Sequence, residues 1–225
     1  NPGSTFVCQW SDYDKDGDVD IYIANGITGA GDTNTLYRNN FDGTFTDVTA
    51  EAGLQEARGT KTIGNCWGDY DGDGWPDLFV SGYNTANRLY RNNGDGTFKN
   101  VATEAGLLDD ELLTSGYTCF FFDYDNDLDL DILRPSLAPW NDVLLGLSDR
   151  YDELPAEKKK KMLQHCTRLY RNNGDGTFKT VSVEAGFIHP NGAMGTGVAD
   201  LDNDGYLDIY FGTGDPAIER MEPDR

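Results

Sequence analysis

Short runs of alternating apolar and polar residues are separated by clusters of Gly, Asn and Asp, a pattern that predicts short strands joined by tight turns. The second such stretch is the clearest. Asn65–Gly68 reads as a strand entering an acidic loop, and Asp77–Ser81 as the strand leaving it. Arg88–Asn92 reads as a third strand, with Leu89 and Arg91 set against Tyr90. Asn93-Gly94-Asp95-Gly96 tolerates the positive φ of a hairpin turn, and Thr97–Val101 reads as the fourth strand.

This unit repeats. Leu-Tyr-Arg-Asn-Asn occurs at Leu36–Asn40, Leu89–Asn93 and Leu169–Asn173. Each copy leads into Asp-Gly-Thr-Phe, at Asp42–Phe45, Asp95–Phe98 and Asp175–Phe178, and then into Glu-Ala-Gly, at Glu51–Gly53, Glu104–Gly106 and Glu184–Gly186. Acidic loops begin at Asp12, Asp69, Asp123 and Asp200, spaced by 57, 54 and 77 residues, so the third interval carries an insertion. Four antiparallel strands per unit of about 50 residues indicate an all-β chain, a β-propeller of four-stranded blades. A β-sandwich is the alternative, but sandwiches do not repeat their loops so faithfully. The expected blades are about 4–53, 58–106 and 113–186 (with the insertion at 135–166), then a partial blade at about 191–225. Residues 1–225 thus hold about three and a half blades, whereas a closed ring needs at least about four. The chain is read as a portion of a larger ring, or as one whose missing strands come from elsewhere.

Composition narrows the partners. The net charge is −21, from 39 acidic and 18 basic residues, which argues against nucleic acid and against an anionic membrane surface. No apolar run approaches the roughly 18–20 residues of a spanning helix, and no leader segment is present, which reads as a cytosolic chain or, in preference, as one already trimmed on export. Cys8, Cys66, Cys119 and Cys166 include no Cys-x-x-Cys. They are compatible with two disulfides in any of three pairings or with small buried thiols, and the sequence leaves the choice open.

The acidic loops carry the chemistry. Loop positions 1, 3, 5 and 9 are Asp12, Asp14, Asp16 and Asp20; Asp69, Asp71, Asp73 and Asp77; Asp123, Asp125, Asp127 and Asp131; Asp200, Asp202, Asp204 and Asp208. Position 7 can offer its backbone carbonyl: Asp18, Trp75, Asp129 and Tyr206. Oxygen-only ligands at this spacing suit Ca²⁺, whereas Zn²⁺ or copper would want the His or Cys that the loops lack. Acidic turns that are merely solvated are the plainer reading. Four carboxylates converging in one nine-residue loop repel strongly without a cation, however, and the arrangement recurs in every unit. The expectation is up to four Ca²⁺, weakest in the third loop, where Leu128 stands at the position-6 turn that is Gly elsewhere. Position 12 is Ile23, Val80, Arg134 or Phe211, so these are not EF-hands.

Together these motifs resemble the FG-GAP/VCBS repeat of integrin α-subunit propellers and many bacterial exported proteins. With Phe211-Gly-Thr-Gly-Asp-Pro216, they are most similar to its ASPIC/UnbV-associated branch. The resemblance covers nearly the whole chain except the insertion. It implies a seven-bladed ring, Ca²⁺ in these loops, and a location outside the cytoplasm: extracellular, at the cell surface or periplasmic.

The insertion breaks the pattern. Pro155–His165 predicts a short helix with Pro at its first position and cations later, and Lys158–Lys161 reads as a solvated face more readily than as an anion patch. Trp140, Leu144, Leu145 and Leu147 are expected to pin the excursion, which should emerge on the face opposite the acidic loops. Trp10, Trp67 and Phe121, each two residues before a loop, are expected in inter-blade core. No Ser-His-Asp order or phosphate-cradling Gly loop is present, so no catalytic residue is assigned. The repeated Asp pairs could be imagined as glycosidase carboxylates, but their presence in every unit favours metal. The leading reading is a calcium-stabilised adhesion or assembly scaffold binding protein or glycan, possible assembly with further blades included. The rivals are the non-catalytic propeller of a secreted hydrolase or lyase and a subunit of a surface filament.

Overall fold

The computed structural model describes residues 5–25, 33–57, 60–83, 85–107, 116–138, 142, 148, 151–190 and 192–212. The predicted tether residues Trp140, Leu144, Leu145 and Leu147, and the tail beyond Gly212, lie outside these.

Three four-stranded antiparallel sheets follow one another along the chain. The first is β1 (Thr5–Ser11), β2 (Asp20–Asn25), β3 (Thr35–Asn39) and β4 (Phe45–Asp47). The second is β5 (Thr62–Gly68), β6 (Asp77–Gly82), β7 (Arg88–Asn92) and β8 (Phe98–Asn100). The third is β9 (Phe120–Phe122), β10 (Asp131–Arg134), β11 (Arg168–Asn172) and β12 (Phe178–Thr180). A two-stranded sheet, β13 (Gly195–Ala199) and β14 (Asp208–Gly212), begins a fourth. Strand order is sequential in every sheet, so each is a meander and the chain is a portion of a β-propeller. In the second sheet β7 has the predicted bounds. β5 starts earlier and β8 is shorter than predicted, because β5 pairs along its length with β6 while β8 is only three residues long.

The core lies between blades. Tyr13, Tyr22, Leu36, Leu78, Tyr90 and Phe98 bury the first interface, with Trp67 against them. Phe79, Leu89, Ile132, Tyr170 and Phe178 bury the second, with Phe121 against them. Trp67 and Phe121 thus sit as expected. Trp10 does not: it is 55% exposed, and its ring stands edge-on to that of Phe45, with centroids 6.4 Å apart. Its place in the repeat faces the side on which a preceding blade would pack, and the described residues supply none. Phe45 is exposed for the same reason, whereas its counterparts Phe98 and Phe178 are buried.

Main-chain hydrogen bonds repeat across each interface. Phe98 N–H donates to Ala52 C=O at 2.9 Å, and Phe178 N–H to Ala105 C=O at 2.8 Å. The Glu-Ala-Gly turn therefore presents the carbonyl that receives the next blade's outermost strand. Its glycines hold positive φ, and a Cβ on Gly53 or Gly106 would press to 3.1 Å from the carbonyl of Phe98 or Phe178.

The insertion joins β10 to β11, at the opposite end of the strands from the acidic loops. Its helix α1 spans Ala156–Leu163, and Pro155 caps it from outside with an extended ψ of 143°, which corrects its predicted place inside the first turn. Tyr151 and Met162 are buried and tie the excursion down; the Tyr151 hydroxyl donates to Ile188 C=O at 2.9 Å. Lys158, Lys160 and Lys161 are exposed, while Lys159 donates to Asp152 C=O.

Candidate metal centres

Each acidic loop links the first and second strands of its sheet. Its backbone is bent by left-handed residues at two positions. Position 6 was expected from its glycines: Gly17 at φ 100°, Gly74 at 90° and Gly205 at 89°, with Leu128 adopting 76° despite its side chain. Position 4 is the second bend, at Lys15, Gly72, Asn126 and Asn203, with φ between 57° and 70°. The Gly and Asn at three of these four positions are the signal that could have revealed it.

Position 1 closes the loop by accepting the N–H of position 6: Asp12 from Gly17 at 3.2 Å, Asp69 from Gly74 at 2.8 Å, Asp123 from Leu128 at 2.9 Å and Asp200 from Gly205 at 3.1 Å. Position 5 accepts the N–H of position 7, as in Asp16–Asp18, Asp73–Trp75, Asp127–Asp129 and Asp204–Tyr206. Position 9 is a buried anchor in the first three loops, whereas Asp208 of the fourth is exposed. One oxygen of Asp77 accepts from Tyr70 N–H at 3.2 Å, and the other from Asn92 N–H at 2.8 Å, so one carboxylate ties the loop to the third strand. Asp20 bonds Tyr13 and Asn39 in the same way, and Asp131 bonds Tyr124 and Asn172.

Three carboxylates converge in each loop, with ligand atoms within 4.8 Å of one another. They are Asp12, Asp14 and Asp20; Asp69, Asp71 and Asp77; Asp123, Asp125 and Asp127; and Asp200, Asp202 and Asp208. Positions 1, 3 and 9 therefore meet in the first, second and fourth loops, and positions 1, 3 and 5 in the third. Asp16, Asp73, Asp204 and Asp131 stand outside these triads, and the side chains of Asp18, Trp75, Asp129 and Tyr206 belong to none of them.

These donors fit a hard cation. Asp12 Oδ1, Asp14 Oδ1, Asp69 Oδ1 and both oxygens of Asp18 are buried without a hydrogen-bond partner. Unpaired buried carboxylate oxygens are costly, and an all-oxygen set of this kind accommodates a divalent ion. Burial is also the main reason that the Asp77 carboxyl is pushed up to about 7 and those of Asp20 and Asp131 to about 6; the backbone donors oppose the shift and neighbouring Asp residues add to it.

The Asn that follows Tyr-Arg in each copy of the repeat was assigned no role from the sequence, yet in the second and third copies it spans blades. Asn172 Nδ2 donates to Tyr70 C=O at 2.8 Å and to Leu130 C=O at 3.2 Å, and its Oδ1 accepts from Gly174 N–H at 3.0 Å. Asn92 does the same with Tyr13 and Pro76 C=O and with Gly94 N–H. Tyr13 and Tyr70 are the second residues of their acidic loops, so each loop is held by its own blade and by the next. Beside them, open polar clefts recur between blades. One of about 500 Å³ is lined by Asp71, Asp73, Arg91, Glu104 and Asp175, and one of about 450 Å³ by Asp14, Asp16, Arg38, Glu51 and Asp95.

Comparison with known proteins agrees with this architecture. The family described as FG-GAP-like repeat matches residues 12–80, 69–133 and 140–211. Human cartilage acidic protein 1 is 27% identical over 197 residues, covering 84% of this chain and 25% of that protein. The Xenopus tropicalis protein of the same name is 26% identical, covering 84% and 26%. The chain thus spans about a quarter of the length of these relatives. Among solved structures, an Agrocybe aegerita lectin that recognises non-reducing terminal N-acetylglucosamine has a TM-score of 0.49 and 21% identity, covering 92% of this chain and 47% of the lectin. No helix among the described residues is long and apolar enough to cross a membrane.

Proposed function

The chain belongs to the FG-GAP-like repeat family, and from that premise we propose that its acidic loops bind Ca²⁺ and that the braced blades serve, outside the cytoplasm, as a non-catalytic scaffold for a protein or glycan partner. The observation that carries the metal assignment is the convergence of three carboxylates in each loop, together with buried, partnerless oxygens on Asp12, Asp14 and Asp18 of the first loop and on Asp69 of the second. The bound ion supplies positive charge that neutralises converging carboxylates. The residues do the rest: positions 1 and 3 offer oxygens, joined by position 9 in the first, second and fourth loops and by position 5 in the third, and position 9 of the first three loops passes the constraint to the third strand.

Calcium titration of the chelated chain by calorimetry is expected to give up to four sites, with the third the weakest. There Leu128 is 90% exposed and held left-handed, so its side chain adds strain of about 1 kcal/mol and no packing. Leu128→Gly should therefore stabilise the third loop and tighten its site by up to about fivefold. Unchanged affinity would show that Asp131, standing outside the triad, limits the site instead.

For the partner, the insertion is the favoured contact. It stands on the face opposite the calcium loops, on a rigid sheet, with α1 presenting Lys158, Lys160 and Lys161 to solvent. Glycan and protein arrays probed with the intact chain and with residues 139–164 excised should lose binding only in the second case. Equal binding by both would move the contact to the inter-blade clefts.

A further inference from the structure

We propose that Cys66 and Cys119 are joined by a disulfide that staples the second blade to the third. Both cysteines are buried in one apolar cluster, with Phe79, Leu89, Ile132 and Tyr170 around them. Cys66 lies on β5 and Cys119 immediately precedes β9, the first strands of adjacent sheets. These strands run side by side at very close range. A Cβ on Gly64 would collide with the Tyr117 carbonyl, and a Cβ on Gly68 would sit 2.7 Å from Phe121 Cγ. Cys66 is midway between those two glycines, and Cys119 midway between Tyr117 and Phe121. Residues two apart on a strand share a face. The two flanking contacts therefore set Cys66 against Cys119, whose thiol lies 3.9 Å from Phe79 C=O in the same cluster.

The other cysteines have no such partner. Cys8 is exposed on β1, and Cys166 sits beyond α1 with its thiol 3.5 Å from Met162 C=O. The repeat sharpens the choice. Cys66 stands three residues before its loop and Cys119 four before the next, and the same offsets one blade earlier hold Gln9 and Asn65. A cysteine thus replaces the polar residue on both sides of one blade interface at once. All four cysteines are free thiols in the structure, and of the three possible pairings only Cys66–Cys119 joins two residues of one buried cluster, so the proposed bond leaves Cys8 and Cys166 reduced.

The chemistry is a thiol–disulfide exchange. One S–S bond forms between the two sulfurs, and their two electrons and two protons pass to an external disulfide such as oxidised glutathione, which leaves as two thiols. Burial pushes the Cys66 thiol well above its ordinary value, with Cys119 adding to the effect. Little thiolate is available once the blades have closed, so the bond forms while they assemble and is afterwards shielded from reductant.

The test is thiol mapping of the full chain refolded in oxidising glutathione buffer. After denaturation without reductant, alkylation should mark Cys8 and Cys166 only. The peptides carrying Cys66 and Cys119 should appear as one cross-linked species, lighter by two hydrogens and separated by reductant. Reduction should lower the melting temperature by about 10 °C in the parent chain and not in the Cys66→Ala/Cys119→Ala double variant. Alkylation of all four cysteines, or a cross-link involving Cys8 or Cys166, would overturn the assignment. Peptide mapping of the parent chain decides the matter even if the double variant does not fold.

Discussion

Chelating divalent cations is expected to lower the melting temperature of this chain by about 15–30 °C, the largest single effect foreseen. A ligand that binds only the folded state at about 100 times its dissociation constant stabilises by about 2.7 kcal/mol. Three such loops supply about 8 kcal/mol, and in a domain of this size each kcal/mol moves the midpoint by about 2–4 °C. The effect is large because position 9 belongs to two structures at once: Asp77 closes its loop on Tyr70 and also holds Asn92 of the third strand. The pH dependence has a definite sign. In the metal-free chain the raised carboxyl of Asp77, and those of Asp20 and Asp131, favour the protonated fold at low pH, and that contribution is lost as pH rises through about 6 to 7. Melts in chelator should therefore fall between about pH 5 and about pH 8, widening the gap to the calcium-loaded chain. A chelator-independent midpoint would remove the basis for treating these loops as metal sites.

Asn172→Ala is expected to destabilise the calcium-loaded chain by about 3–5 kcal/mol, seen as a lower urea midpoint with an unchanged slope. The side chain is 2% exposed and makes three hydrogen bonds, one of them to the neighbouring blade, and truncation leaves the buried Tyr70 carbonyl without that partner. Asn39 provides the internal control. It occupies the same place in the motif, but its bonds to Val19 and Phe41 stay within its own blade and are exposed. Asn39→Ala should cost less than about 1 kcal/mol. Equal losses at the two sites would mean that the amide acts only on its local turn and not as a clip between blades.

The repeat made the architecture legible. β7 was read with its true ends and the meander followed from the order of strands, because period-two alternation and turn residues act locally. The convergence of positions 1 and 3 was also legible, since a nine-residue loop can bring its own carboxylates together. What escaped depends on neighbours. Asn92 read as no more than a strand end, and the bonds that it and Asn172 make to carbonyls of the preceding blade appear only once the blades are packed. Trp10 looked like core because its counterparts are core, but that identity belongs to the interface and not to the residue. Tyr151 and Met162 were passed over as tethers in favour of more apolar residues. The spacing also suggested equal roles for positions 5 and 9, whereas position 5 joins the triad only in the third loop, although it accepts the position-7 N–H in all four.

The uncovered side of the first sheet has a practical meaning for anyone handling this polypeptide. Trp10, at 55% exposed, and Phe45, at 42%, form an oily flank beside strand β1. At the concentrations used for crystallisation, that flank invites molecules to adhere to one another. A crystallographer would gain solubility by polar replacement of these two side chains, with the interior of every blade left untouched.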